Sequence, residues 1–328
     1  MTVSTQGILY ARTPHGEEIP ILDITHEAFT NYCNEAVLEK KSAAAASKIG
    51  MISHMPGFLK TMIRKSSNTQ NSYLSGMRTL ALKLGPRLMK GMKVGFTERR
   101  LVHEFSSVAL RIRVRNISIL QAEALRPELE RHPNKQLVMV NIAGGAAGDS
   151  INSLRLLAAA NKELLSKRRI EIIVLDTDTF GPEFASSSIE VLKINDPLFF
   201  GLNLSVRHIR YDWNSTQALS ELLESTKDAI HGFSSEGGLF EYGTDQAIQA
   251  NLEAIARTSN SDARIVGSIM LDPDHINPMM VEMQKVTGTS TRFLGMDGLR
   301  SIVSKSGWEI ESSKSDGSVY ATFTLKHP

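Results

Sequence analysis

Cysteine is almost absent from this chain: Cys33 stands alone among 328 residues. A lone cysteine excludes an intramolecular disulfide framework and any zinc site built on several thiolates. It leaves Cys33 as a small buried hydrophobe. No uncharged run approaches the roughly 20 residues needed to span a bilayer. The opening MTVSTQGILYARTPHGEEIPIL lacks the basic segment and long apolar stretch of a secretory signal, so a cytoplasmic protein is expected. There is no internal repeat. What is present is ordinary for a globular protein, 41% hydrophobic and 22% charged, and the length suits one large domain or two of moderate size.

The net charge of +2 hides a split. From Lys40 to Arg115, sixteen Lys and Arg stand against Glu98 and Glu104, a local +14, so the rest of the chain carries −12. Such a division suggests two regions with different partners.

The early chain reads as helical. Residues 19–23 could form a short strand or turn. Helical spacing begins near Glu27 and continues through MISHMPGFLKTMIRK and LSGMRTLALKLGPRLMKGMKVGF, with breaks at Pro56 and around Gly85 and Pro86. One long helix or two in succession, capped by Thr97, then run to about residue 132. After Pro133 the pattern changes to strands alternating with helices. QLVMVNI, RIEIIVLDTD, LSVRHIRYDW, AIHGF and ARIVGSIML read as five buried strands, and WEIESS and VYATFTLK as a terminal hairpin. The expected fold is therefore α/β: a Rossmann-like, doubly wound sheet of about seven strands with a C-terminal antiparallel hairpin, preceded by a helical N-terminal region.

Between the first strand and its helix lies VNIAGGAAGDS, with Gly144, Gly145 and Gly148 inside five positions. Clustered glycine marks backbone that turns tightly or approaches a ligand closely. At the carboxyl edge of a parallel sheet, N–H groups and a helix N-terminus, with Asp149 or Ser150 as its cap, suit an anionic group. The second strand ends in Asp176, with Asp178 just beyond, where a carboxylate could accept hydrogen bonds from both hydroxyls of a ribose. Loop and acid together imply an adenosine-containing ligand. They do not separate a dinucleotide from S-adenosylmethionine, although G-G-x-x-G departs from the G-x-G-x-x-G fingerprint. The same loop also occurs as plain strand-to-helix geometry.

The terminal hairpin GWEIESSKSDGSVYATFTLKHP and the turn in SKSGWEIES resemble the class I S-adenosylmethionine-dependent methyltransferase family, over roughly residues 105 to 328. The resemblance implies a division into residues 1–105, a helical cap or substrate-selecting region, and 106–328, a domain binding S-adenosylmethionine. On the family's first motif, Asn141 stands at the acidic position and Ala143, Gly145 and Ala147 at the three glycines, so two of the three are replaced. Asp176 matches the acid that takes the ribose hydroxyls. Asp212 matches the position that meets the adenine amino group, with Trp213 a stacking surface beside it. Ser234, Ser235 and Glu236 match the loop bordering the methyl group.

Methyl transfer needs a positioned nucleophile and, for many acceptors, a base. The candidates are His231, Glu236 and His275, with Glu241 and Tyr242 orienting substrate. Each histidine also suits a structural role. Asp272 and Asp274 beside His275 read as a capped turn, so no metal is assigned. The NPPY-like signature of amino-group methyltransferases is absent, which favours a small-molecule or lipid-like acceptor methylated at oxygen or carbon. Two alternatives stand: an NAD-dependent oxidoreductase, which shares loop and acid, and a non-catalytic scaffold of the same fold. In the basic region 40–115, Lys and Arg interleave with Met51, Met55, Phe58, Leu59, Met62, Met89 and Met92. This could pack as a cap, form a lid, rest on an anionic membrane surface, or, less favoured, grip nucleic-acid phosphates. The oligomeric state is not legible.

Overall fold

The computed structural model describes residues 1–42, 63–65, 72–74, 76–85, 107–259, 262–276, 281, 290–315 and 319–327. The short strand or turn expected at residues 19–23 is a strand, and two strands not singled out from the sequence precede it. Strands β1 (Thr2–Val3), β2 (Ile8–Arg12) and β3 (Glu18–Leu22) form an antiparallel meander. Its alternation is too short to stand out by period: Ile8, Leu9 and Ala11 are buried on β2, and Ile21 and Leu22 on β3. Asp23 then accepts from Thr25 N, and helix α1 (Glu27–Ser42) follows as expected.

Residues 63–65, expected as the end of a helix, pair instead as strand β4 (Ile63–Lys65) with β5 (Ser72–Leu74). Helix α2 (Gly76–Leu84) stops at Gly85, whose φ of +89° suits glycine. Pro56, Pro86, the cap Thr97 and the methionine stripe all lie outside the described residues. Helix α3 (Ser107–Arg131) completes this part.

The remaining elements are β6 (Leu137–Ile142), α4 (Gly148–Asn161), α5 (Glu163–Ser166), β7 (Arg169–Asp176), α6 (Phe180–Asn195), β8 (Asn203–Arg210), α7 (Gln217–Ser225), β9 (Ile230–Ser235), α8 (Leu239–Tyr242), α9 (Asp245–Thr258), β10 (Arg264–Met270), α10 (Gly295–Val303), β11 (Glu309–Ser315) and β12 (Tyr320–Lys326). They build one seven-stranded sheet in the order β11-β12-β10-β9-β6-β7-β8. All neighbours in β8-β7-β6-β9-β10 are parallel. Only β12 runs antiparallel, inserted between β10 and β11. The expected doubly wound sheet and terminal hairpin are thus present.

Both faces of the sheet are covered, which is why β6 and β9 are buried at every position while the edge strand β8 is not. One face packs against α7, α9 and α10 through Leu219, Leu223, Ile248, Leu252, Leu299 and Trp308. The other packs against α3, α4 and α6, and the meander joins this cluster with Leu9, Ala11 and Ile21. Each such buried aliphatic side chain contributes about 1.5–3 kcal/mol. Polar ties fix the meander here. Asn152 accepts from Ile24 N (3.1 Å) and donates to Leu22 O (3.0 Å), while Arg155 pairs with Asp23 (3.4 Å) and Asp196 (2.7 Å). Cys33, on α1, is buried with Phe29, Leu80 and Ile112.

Candidate functional site

The chain runs β6, β7, β8 toward one edge of the sheet, then crosses back to lay β9 on the other side of β6. In open α/β sheets ligands bind at such a reversal, at the carboxyl ends of the strands. The loop after β6 lies there. Ala143 (φ 53°), Gly145 (φ 52°) and Ala147 (φ 50°) are all left-handed. Alanine in that region costs about 1–3 kcal/mol, strain that the surroundings must hold in place. They do so through Ala143 N donating to Leu175 O (2.7 Å) and through Gly238, where a Cβ would meet that of Ala143 at 2.3 Å.

Helix α4 starts at Gly148, and Ala147, its cap, offers no side chain to the first turn. The expected cap, Asp149 or Ser150, is incorrect, because both lie inside the helix and turn back to Asn141. Asn141 donates from Nδ2 to Asp149 Oδ1 (2.8 Å) and Ser234 Oγ (2.7 Å), and its Oδ1 accepts from Ser150 Oγ (2.9 Å). Asn141 therefore ties the loops after β6 and β9 together. Asp149 Oδ2 is buried without a hydrogen-bond partner. Burial, reinforced by Glu236, pushes the Asp149 carboxyl up from its ordinary value.

Asp176, at the end of β7, accepts from Gly145 N (3.1 Å) on one oxygen and Asp178 N (2.9 Å) on the other. Burial raises its pKa, opposed by those two hydrogen bonds. Gly145 thus lies against the end of the second strand, while Gly144 packs on Asn141. Asp212 lies after β8 and accepts from Asn214 N (3.0 Å) and Nδ2 (2.7 Å). It lines a hollow of ≈ 220 Å³ with Arg210, Tyr211 and Glu221. Trp213 packs at the edge of the core, and its carbonyl accepts from Asn251, which also accepts from Tyr211 Oη (2.6 Å).

Beyond β9, Ser235 Oγ accepts from Leu239 N (3.0 Å). Glu236 is buried and ion-paired through both oxygens: Arg113 Nε is 2.6 Å from Oε1, and Lys83 holds Oε2. Burial alone would raise this carboxyl, but Arg113 and Lys83 outweigh it and hold the pKa below the ordinary value. Arg113 also grips Glu241 (2.5 Å) and lies over the Tyr320 ring (4.3 Å). Burial dominates at Glu241, whose pKa is raised despite Arg113. The expected base Glu236 is therefore the anchor of an ion cluster.

The two histidines lie elsewhere. His231 is at the amino end of β9, beside Val138, with Nε2 2.9 Å from Thr226 Oγ1; burial lowers its pKa to about 4. It lies at the opposite edge from the glycine loop. His275 is 71% exposed in the turn after β10, 3.9 Å from Asp272. Among the described residues no group of three or more His, Cys, Asp or Glu is placed to hold a metal. No helix among them is long and apolar enough to cross a membrane.

Lys83, Arg113 and Asp149 join the site without having been singled out as site residues. The usable signal was Arg113 between Ile112 and Val114, a charge within an apolar stretch of helix inside the basic region.

No family model matches the chain, and no curated protein does. Solved structures do. Magnesium protoporphyrin IX methyltransferase from Synechocystis PCC 6803 with bound SAH is 12% identical with a TM-score of 0.43, covering 74% of this chain and 92% of its own. The mitomycin 7-O-methyltransferase is 12% identical with a TM-score of 0.42 over 77% and 66%. An O-methyltransferase family protein from Burkholderia thailandensis is 11% identical with a TM-score of 0.42 over 94% and 74%. The fold assignment rests on the strand order itself.

Proposed function

We propose that this protein is an S-adenosylmethionine-dependent methyltransferase acting on a small-molecule or lipid-like acceptor at oxygen or carbon. The observation that carries the reading is Asp176 against Gly145 at the carboxyl end of β7, beside a strand-order reversal of the class I kind. A half-buried carboxylate there suits two ribose hydroxyls. The buried Asp149 Oδ2, without a partner, suits the cationic amino-acid end of the same ligand. When bound, the cofactor supplies an electrophilic methyl group on a sulfonium sulfur.

The chain's own contribution is then chiefly positioning. Asn141, Ser150 and Ser234 fix the two loops, and Asp212, held through the Asn251 contacts to its neighbours, borders the outer end. Glu236, saturated by two cations, orients the β9 loop and is a poor proton acceptor. Lys83 on α2 and Arg113 on α3 reach this edge from the first part of the chain. That supports the N-terminal region as the acceptor side of the site.

Calorimetric titration with S-adenosylmethionine, S-adenosylhomocysteine and NAD, on the wild-type protein and on Asp176→Ala, tests the proposal. Micromolar binding of the first two that collapses in the variant is expected. Binding of NAD alone would turn the reading toward an oxidoreductase, and binding of none toward a scaffold.

A further inference from the structure

The carboxyl-edge cluster holds three buried carboxylates, Asp149, Glu236 and Glu241, and two cations, Lys83 and Arg113. Arg113 is immobile: its side chain is 3% exposed, its guanidinium spans Glu236 and Glu241, and it rests on Tyr320. Lys83 differs. Its side chain is 14% exposed, and its ammonium meets Glu236 through a flexible stem. The backbone beneath is pinned separately, since Lys83 O accepts from Arg111 Nε and Gly85 N closes the helix on Ala81 O. The ammonium can therefore swing while α2 stays.

Asp149 lies within electrostatic reach of both Lys83 and Glu236, and its Oδ2 is buried without a hydrogen-bond partner. One movable cation thus serves a cluster with an excess of carboxylate. A buried acceptor left unpartnered costs about 1–3 kcal/mol, more when charged, so a second positive group is favoured there.

We infer that Lys83 is a tethered surrogate for the ammonium of the ligand, resting on Glu236 beside Asp149 and swinging aside when the ligand's amino-acid end enters. The inference rests on the reading given under Proposed function. Lys83 then sets affinity by competition: the protein neutralises its own site until a ligand carrying a primary ammonium replaces that charge. The competition touches only ligands with that group.

Two probes separate the amino-acid end from the adenosine: S-adenosylhomocysteine, which carries the ammonium, and 5′-methylthioadenosine, which keeps adenosine and sulfur but lacks it. Both are titrated calorimetrically into the full-length wild-type protein, Lys83→Met and Lys83→Arg, with Lys83→Gln in place of Lys83→Met if that variant does not fold. The expected result is at least tenfold tighter S-adenosylhomocysteine binding in Lys83→Met, unchanged 5′-methylthioadenosine binding, and near-wild-type values for Lys83→Arg. Weaker or unaltered S-adenosylhomocysteine binding in Lys83→Met, or a parallel change for both probes, overturns the inference while the cofactor reading stands. Binding of neither probe by any of the proteins overturns both.

Discussion

Gly181 sits directly on Gly145: a Cβ built on Gly181 would come within 2.7 Å of the Gly145 Cα and 2.6 Å of its carbonyl carbon. The first turn of α6 is thus the floor under the left-handed centre of the glycine loop. Gly181→Ala must move backbone, not the tip of a side chain. It is expected to cost about 1–3 kcal/mol of stability and to weaken S-adenosylhomocysteine binding. Urea denaturation and calorimetry on the same preparation check it, and unchanged values in both would show that the loop yields without consequence.

Removing Arg113 takes the ion-pair partner from Glu241 and leaves Glu236 with Lys83 alone. Arg113→Met is expected to destabilise the protein by about 3–5 kcal/mol. Adding Glu236→Gln and Glu241→Gln should recover part of that loss, since the uncompensated charges carry most of the cost. A denaturation cycle over the variants measures it. No recovery in the triple variant would mean that the arginine acts through packing on Tyr320.

Asn251 holds the segment that carries Asp212, by accepting from Tyr211 Oη and donating to the Trp213 carbonyl. Asn251→Ala leaves the Tyr211 hydroxyl without this acceptor and should cost about 1–3 kcal/mol. Amide exchange should quicken at residues 211–214 before it does elsewhere.

His231 gives a pH signature. Its folded pKa, lowered by burial to about 4, lies below the ordinary 6.5, so between these values the unfolded chain binds a proton that the folded protein does not. The corresponding stability is complete above pH 6.5 and is lost as the pH falls toward 4, a total of about 3 kcal/mol. His231→Gln should flatten that part of the stability profile and leave methyl transfer within about twofold. A large drop in turnover with folding intact would return the histidine to the chemistry.

The sheet was legible because its strands are dense in Val, Ile and Leu and are separated by turn residues. Asp176 and Gly145 could be brought together from sequence for the same reason: consecutive parallel strands lie side by side, so their ends meet. Of the meander only the third strand was legible, as a strand or turn at 19–23, because strands of two and five residues give too little alternation to announce the first two. Helix α6 was not legible: its start carries Pro182 and its middle carries Ser186, Ser187 and Ser188. Proline in a first turn is compatible with helix, but it reads as a break. Lys83 and Glu236 stand 153 residues apart and Arg113 and Glu236 123, so no local pattern announces their pairing. His231 misled by proximity. It is three residues from Ser234, and along a strand that is roughly 10 Å, enough to place it at the other edge.

The hydrogen bonds that Asn152 donates to Leu22 and accepts from Ile24 join chain positions 130 and 128 residues apart. During synthesis the opening strands emerge first, yet their partner on α4 follows more than a hundred residues later. At ribosomal speeds that delay is on the order of ten seconds. Through that interval the apolar faces of Leu9, Ala11 and Ile21 have no sheet to rest on. Their docking is therefore expected to follow the formation of α4, as the closing of a long loop.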